Sequence, residues 1–477
     1  MSITWYQRND AAVIGALQRG QRPDMATTMA SGPLDELVAL HDELGVFDAL
    51  DAVPCQRQRR GVEDKLLLRT VAVLPFIESS ALSGAAGQLF GEPAILLHLG
   101  WSPLQISIGD NERHRHPEGR RESSLPCHPD TLRDALRRVA QSSWQRVQET
   151  GVKALYDRGL VHGRVYAIDG TGLEEGLRLV CLVCVSAERP VIVAWRILTG
   201  DASEKGQEAA VTRSLIEQAL ALGGADCIEL LLVDALYADG PLLAWLKYRC
   251  DIDVLVPIPT DRDLHHDLLG LAEGGLLHFH RHSYVRVISG HKQRRTLEMG
   301  CQDGLTSWDS FMKAARAYGA ESPRLWGCLI RPVEGDDPEA HTFTLVSTRS
   351  WSCGPAAFQA FRPRWHIEND AYRELKEGWR LESQLWGRDL PIHVARITLT
   401  CLAFNTAQTY LSRGGKHVAA HGIRRLRRCY WPQLGHSPVV IYIGRYYAVL
   451  PVERLLEIVG FSVRHTLRPQ LTTTHPP

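Results

Sequence analysis

The chain has 477 residues and a mass of 53.3 kDa, with 54 Lys+Arg against 54 Asp+Glu and 44% hydrophobic residues. Forty Gly and 25 Pro are close to background usage, so wholesale disorder and collagen-like or coiled-coil architectures are excluded, and a length of this size suggests several domains. No apolar core follows a charged start at the N-terminus, and the run Leu179–Ser186 is too short to span a bilayer, so a soluble cytoplasmic protein without membrane contact is expected.

Residues 1–150 read as mostly helical, with apolar residues at helical spacing in PLDELVALHDELGVFDAL and EDKLLLRTVAVLPFIESSALSGAAGQLF. A Pro/Gly/Arg/His-rich connector over 109–129 leads into HPDTLRDALRRVAQSSWQRVQETGVKALYDRG, where helical spacing resumes with Asp130 or the preceding turn as cap. From His162 the texture changes. GRVYAIDGTG, LRLVCLVCVSA and RPVIVAWRIL predict three antiparallel strands separated by turns. A helix (EAAVTRSLIEQALALGG), a strand (CIELLLVDA), a helix (PLLAWLKYRC) and a strand (DIDVLVPIP) then alternate, which makes the fold class α/β, a mixed sheet with flanking helices. Strand-like pieces between polar connectors over 261–355 predict an inserted β-rich module. The spacing in FRPRWHIENDAYRELKEGWRLES predicts a helix over 361–382, and PIHVARITLTCLAFNTAQTYL a second, largely buried one. The expected organisation is an N-terminal helical region (1–150), a core in two parts (155–260 and 356–412) around the insert (261–355), and a basic, aromatic C-terminal segment (413–477).

Eleven Cys are scattered along the chain, as suits a reducing compartment. Cys181 and Cys184 form a CxxC, but on a strand their thiols point to opposite faces, so core packing is expected there, not half of a zinc site. The zero net charge conceals segregation. Residues 1–54 carry eight acids and three bases, whereas Leu390–Val452 holds no acid and eight bases, among them Arg424, Arg425, Arg427 and Arg428, interleaved with tyrosines and Trp431. A second acid-free window, Gly274–Leu297, is rich in Arg and His. Such surfaces suit polyanions; a solvated face is the alternative.

Two acids end apolar strands: Asp169 after VYAI and Asp234 after LLLV. Carboxylates there are costly to bury unpaired, which makes a shared cation a natural partner, although each also suits a turn or helix cap. In the helix over 361–382, an advance of about 100° per residue places Arg364, Glu368, Tyr372 and Trp379 within about 40° of one face. A surface salt bridge is the alternative for Arg364 and Glu368.

YAIDGTG, LLVDALYADG and RPRWHIENDAYRELKEGW, in this order, resemble the three catalytic blocks of DDE transposases of the IS4-like insertion-sequence type, and the likeness covers roughly residues 60–412. The resemblance implies an RNase H-like core in which Asp169, Asp234 and Glu368 are the catalytic residues and bind two Mg²⁺ ions, with Mn²⁺ as a substitute. It further implies DNA cleavage and strand transfer of an insertion sequence, double-stranded DNA (transposon ends and target) as partner, a homodimer on DNA, and a bacterial cytoplasmic, nucleoid-associated location. The third block of the family runs Tyr, two residues, Arg, three residues, Glu, six residues, Lys. Here Phe361, Arg364 and Glu368 match in spacing, with Phe in place of Tyr, but Leu375 stands at the Lys position and Lys376 comes one residue late, about 100° around an α-helix. Asp239 competes with Asp234 but lacks the strand context. The expected DNA contacts are Arg364, Arg373, Lys376 and Arg424, Arg425, Arg427 and Arg428, with Trp308, Trp326 or Trp351 of the insert as base-stacking candidates. Two other readings fit the same residues: an RNase H-like nuclease without strand transfer, and a catalytically defunct, transposase-derived DNA-binding protein.

Overall fold

The computed structural model describes residues 6–28, 34–55, 57, 61–77, 81–83, 89–90, 93–102, 105–106, 126–186, 189–203, 209–288, 291–333, 341–382, 386–413, 439–450, 452–458 and 460. It is a mixed α/β structure whose strands are β1 (Gln7–Arg8), β2 (Met25–Thr28), β3 (Val165–Gly172), β4 (Arg178–Cys184), β5 (Val191–Leu198), β6 (Leu230–Leu232), β7 (Asp253–Ile258), β8 (Phe279–Ile288), β9 (His291–Leu305), β10 (Leu325–Pro332), β11 (Phe343–Ser347), β12 (Val439–Ile443) and β13 (Tyr446–Leu450). Two compact units result, Met1–Gly151 with Glu377–Pro477, and Val152–Lys376. No helix among the described residues is long and apolar enough to cross a membrane.

In the first unit the helix Leu390–Arg413 is buried at every position from Ile392 to Thr409, which is why its sequence shows little amphipathic alternation. Its Phe404 meets Trp379, which in turn meets Phe76, all edge to face. His41 lies against Thr406, with Nδ1 2.7 Å from Oγ1, and burial pushes its imidazole down to about 3. A four-stranded sheet, β1-β13-β12-β2, joins the two ends of the chain. Ile441, Ile443, Ala448 and Leu450 of its hairpin pack on Val13, Ala16 and Leu17 of the helix Asp10–Gln18. The stretch from Pro129 to Asp157 is two helices, Pro129–Arg137 and Gln141–Asp157, and the cap is His128 in the preceding turn, whose Nδ1 accepts the Asp130 N–H at 3.2 Å.

The second unit is built on a nine-stranded sheet of order β5-β4-β3-β6-β7-β11-β10-β9-β8. β5, β4 and β3 form the antiparallel meander read from the sequence, while β3, β6 and β7 run parallel. The helix Gly240–Cys250 connects β6 to β7, as parallel neighbours require a crossover, and the helix Ala209–Gly223 lies between β5 and β6 in the chain. Cys181 and Cys184 are both buried on β4, as the alternation predicts. β8–β11 continue this same sheet, because β11 pairs with β7 and β10, β9 and β8 follow in order.

The segment 361–382 departs from the regular α-helix expected of it. An α-helix, Gly354–Phe361, passes through a 3₁₀ turn, Arg362–Arg364, into π-helical turns, Ile367–Tyr372 and Glu374–Gly378, and Arg380 ends the run at φ 53°. Pro363 has no N–H to continue the α ladder, which accounts for the tighter turn there. The π turns, closed by i→i+5 bonds, hold one residue more than an α turn.

Candidate functional site

β3 and β6 pair in parallel, Val165 with Leu230, Tyr166 with Leu231 and Ala167 with Leu232. Two residues beyond the last of these pairs stand Asp169, still within β3 and paired there with Cys181 of β4, and Asp234, just past the end of β6, so two acids follow the paired stretch of neighbouring parallel strands. The strands reach this register because their apolar residues are buried on both faces: Tyr166, Ala167, Ile168 and Leu230, Leu231, Leu232 are all in the core. Asp169 accepts the Gly170 N–H at 2.7 Å, and Asp234 accepts the Ala235 N–H at 2.6 Å. The cap role considered for Asp234 is therefore real, and its carboxylate is also half-buried. Asp239 is a cap as well: it accepts the Leu242 N–H at 2.7 Å and starts the helix Gly240–Cys250.

Glu368 lies on the first π turn. Arg364 connects it to the sheet: Nη1 is 2.8 Å from Glu368 Oε1 and 3.7 Å from Asp169 Oδ2. The Arg364 side chain is only 9% exposed and that of Asp169 16%, so this is not the solvated surface pair that spacing alone allowed, although Glu368 itself is 45% exposed. The guanidinium carbon of Arg364 sits 5.8 Å from the centre of the Phe361 ring, so Phe361 provides it with an aromatic neighbour. Burial pushes the Asp169 carboxyl up to about 6; the Gly170 N–H and Arg364 oppose this, and the charges of Glu368 and Asp234 add to it. Asp169 therefore senses both of the other acids.

Two further side chains fasten the helical segment to β3. The Tyr372 hydroxyl donates to the Asp169 carbonyl oxygen and accepts the Cys181 N–H at 3.1 Å. Burial pushes that phenol well above its ordinary value, so it stays protonated. Lys376 Nζ donates to the Gly172 carbonyl oxygen at 2.8 Å. An offset of about 100° in a regular helix would carry Lys376 away from this face; the wider π turns absorb the extra residue, while Leu375, at the family's Lys position, is in the core.

Arg373 is exposed, and Arg424, Arg425, Arg427 and Arg428 lie outside the described residues. Trp308 and Trp326 are buried, and Trp351 lies under the guanidinium of Arg349, 4.2 Å from its ring centre. Among the described residues, the exposed tryptophan is Trp365, 40% exposed, next to Arg364. Nothing in its sequence context singled it out, because its exposure depends on the irregular winding of the segment.

Among the described residues no three His, Cys, Asp or Glu side chains are close enough together to form a ready metal cage. What is present is two acids that follow the paired stretch of neighbouring parallel strands and a third acid linked to one of them by a guanidinium. Comparison with known protein families finds no match, and neither does comparison with curated proteins.

Proposed function

We propose that the chain is a DDE-type DNA transposase with an RNase H-like core, which cleaves phosphodiesters and joins the freed 3′-hydroxyl to target DNA. The observation that carries this reading is the placement of three acids: Asp169 on β3, Asp234 just past the parallel neighbour β6, and Glu368 tied to Asp169 through Arg364. The donor set fits a divalent cation, since carboxylates are hard oxygen ligands and a guanidinium already serves as stand-in cation against two of them. Asp169, Asp234 and Glu368 would hold Mg²⁺ or Mn²⁺, which when bound supplies charge neutralisation at phosphoryl oxygens and an acidified attacking hydroxyl.

The remaining work falls to the chain itself. Tyr372 and Lys376 hold β3 at Asp169 and Gly172, so the Asp169 carboxylate would present a fixed position to the phosphate. Arg373, Lys376 and the cluster Arg424–Arg428 would bind backbone phosphates of double-stranded DNA without reading sequence. Trp365 offers an exposed ring on which an unpaired base beside the cut site would stack.

The test is cleavage and joining of labelled DNA in Mg²⁺. Asp169→Asn, Asp234→Asn and Glu368→Gln should each lower both reactions on the order of 10³-fold or more while DNA binding persists. Activity surviving in all three variants rejects the proposal. Cleavage without joined products would instead favour the nuclease, and DNA binding with neither reaction the defunct DNA-binding protein.

A further inference from the structure

We propose that Arg364 is a built-in counter-ion that occupies the cation's place between Asp169 and Glu368 and must leave Glu368 for a divalent ion to be held there. The inference rests on the metal-dependent reading above and adds to it a residue that sets how readily the site is loaded.

One nitrogen, Nη1, is 2.8 Å from Glu368 Oε1 and 3.7 Å from Asp169 Oδ2, so the guanidinium draws on oxygens from two of the three carboxylates. A divalent ion needs those same oxygens, and two cations cannot share them closely without strong repulsion. Arg364 is held poorly as a hydrogen-bond donor. Nε is buried without a hydrogen-bond partner among the described residues, and Nη1, despite its ion pairs, makes no well-aligned hydrogen bond. A guanidinium fully committed to a structural role is normally saturated with acceptors. This one is held by charge, and by the Phe361 ring 5.8 Å away, and Glu368 is the exposed partner toward which it can let go.

The consequence is a competition, and it is measured by binding rather than by turnover. Mn²⁺ binding is followed by the loss of the free-ion paramagnetic resonance signal in the full chain and in Arg364→Met, Arg364→Lys and Glu368→Gln. Arg364→Met removes the competing charge at nearly unchanged side-chain length and should bind Mn²⁺ about tenfold or more tightly than the unmodified protein. Arg364→Lys, which keeps the charge, should stay within about threefold of it. Arg364→Met binding no tighter than the unmodified protein overturns the proposal. A second measurement needs no variant: phenylglyoxal labelling of the unmodified protein, read by mass spectrometry at Arg364. Labelling should rise as Mn²⁺ saturates the site, and protection unchanged by Mn²⁺ overturns the proposal even if the Met variant does not fold. The two levels of inference fail differently. If the unmodified protein binds no Mn²⁺ that Glu368→Gln weakens, the metal-dependent reading falls with the counter-ion; if Glu368→Gln weakens binding but Arg364→Met leaves it unchanged, only the counter-ion falls.

Discussion

Asp169 is the residue on which most of the site's electrostatics converge, and its environment has a measurable consequence for stability. Its carboxyl is raised from the ordinary 3.8 to about 6, chiefly by burial. Above pH 6 the native state carries a desolvated charge that the unfolded chain keeps in water; below about pH 4 both states are neutral and the difference vanishes. Stability from this group is thus fully present below the unfolded value and lost as pH rises through 6, by about 3 kcal/mol at most. The metal-free Asp169→Asn protein should therefore be more stable than the unmodified one at pH 8, and the gap should close by pH 4, measured as urea midpoints at both pH values. A gap that is flat with pH would show that burial does not act on this carboxyl. Tyr372 makes a second residue-scale case. Tyr372→Phe leaves the Cys181 N–H and the Asp169 carbonyl without its hydroxyl, at a cost of about 1–3 kcal/mol, and should reduce turnover without weakening DNA binding. Equal loss of stability and DNA affinity would argue for a purely structural role.

At the scale of the element, the segment from Phe361 to Gly378 shows how far local periodicity carries. Its helical character was plain from the spacing, and so was the nearness of Arg364 to Glu368, since four residues make roughly one turn. The π winding was not, because it follows from where Tyr372 and Lys376 find their acceptors on β3, at Asp169 and Gly172. This settles which way Lys376 faces and yields a prediction for it. If Lys376 also touches phosphate, Lys376→Met should lower the slope of log K against log salt by about one, by filter binding, uniformly across DNA sequences. An unchanged slope would confine Lys376 to fastening the segment to β3. The helix Leu390–Arg413 was legible for the opposite reason: its weak alternation reflected burial on all sides, and Ile392–Thr409 are indeed buried throughout.

For the molecule as a whole, the charge segregation is the feature that bears on its partner. Leu390–Val452 has no acid, and Arg424, Arg425, Arg427 and Arg428 form its densest basic run. Replacing these four together by Ser should reduce the salt slope of DNA binding by roughly three to four, since each neutralised phosphate contributes about 0.9. A slope that does not change would remove this segment from the DNA-binding surface. The two sheets illustrate the division between local and distant information. The strands and helices from Val165 to Ile258 were readable because alternation, continuous apolar runs and turn residues are properties of short windows, and the acids Asp169 and Asp234 stood out at the ends of two of those runs. Local patterns thus reveal the mixed α/β class, the strand contexts of two acids and the pairing distance of Arg364 and Glu368. The packed fold adds that the strands leading to Asp169 and Asp234 are parallel neighbours, that Arg364 reaches from Glu368 to Asp169, and that β1 and β2 pair with β13 and β12 from the far end of the chain. Each of these depends on hydrogen bonds or charges between residues tens to hundreds of positions apart, whose partners no local pattern can specify.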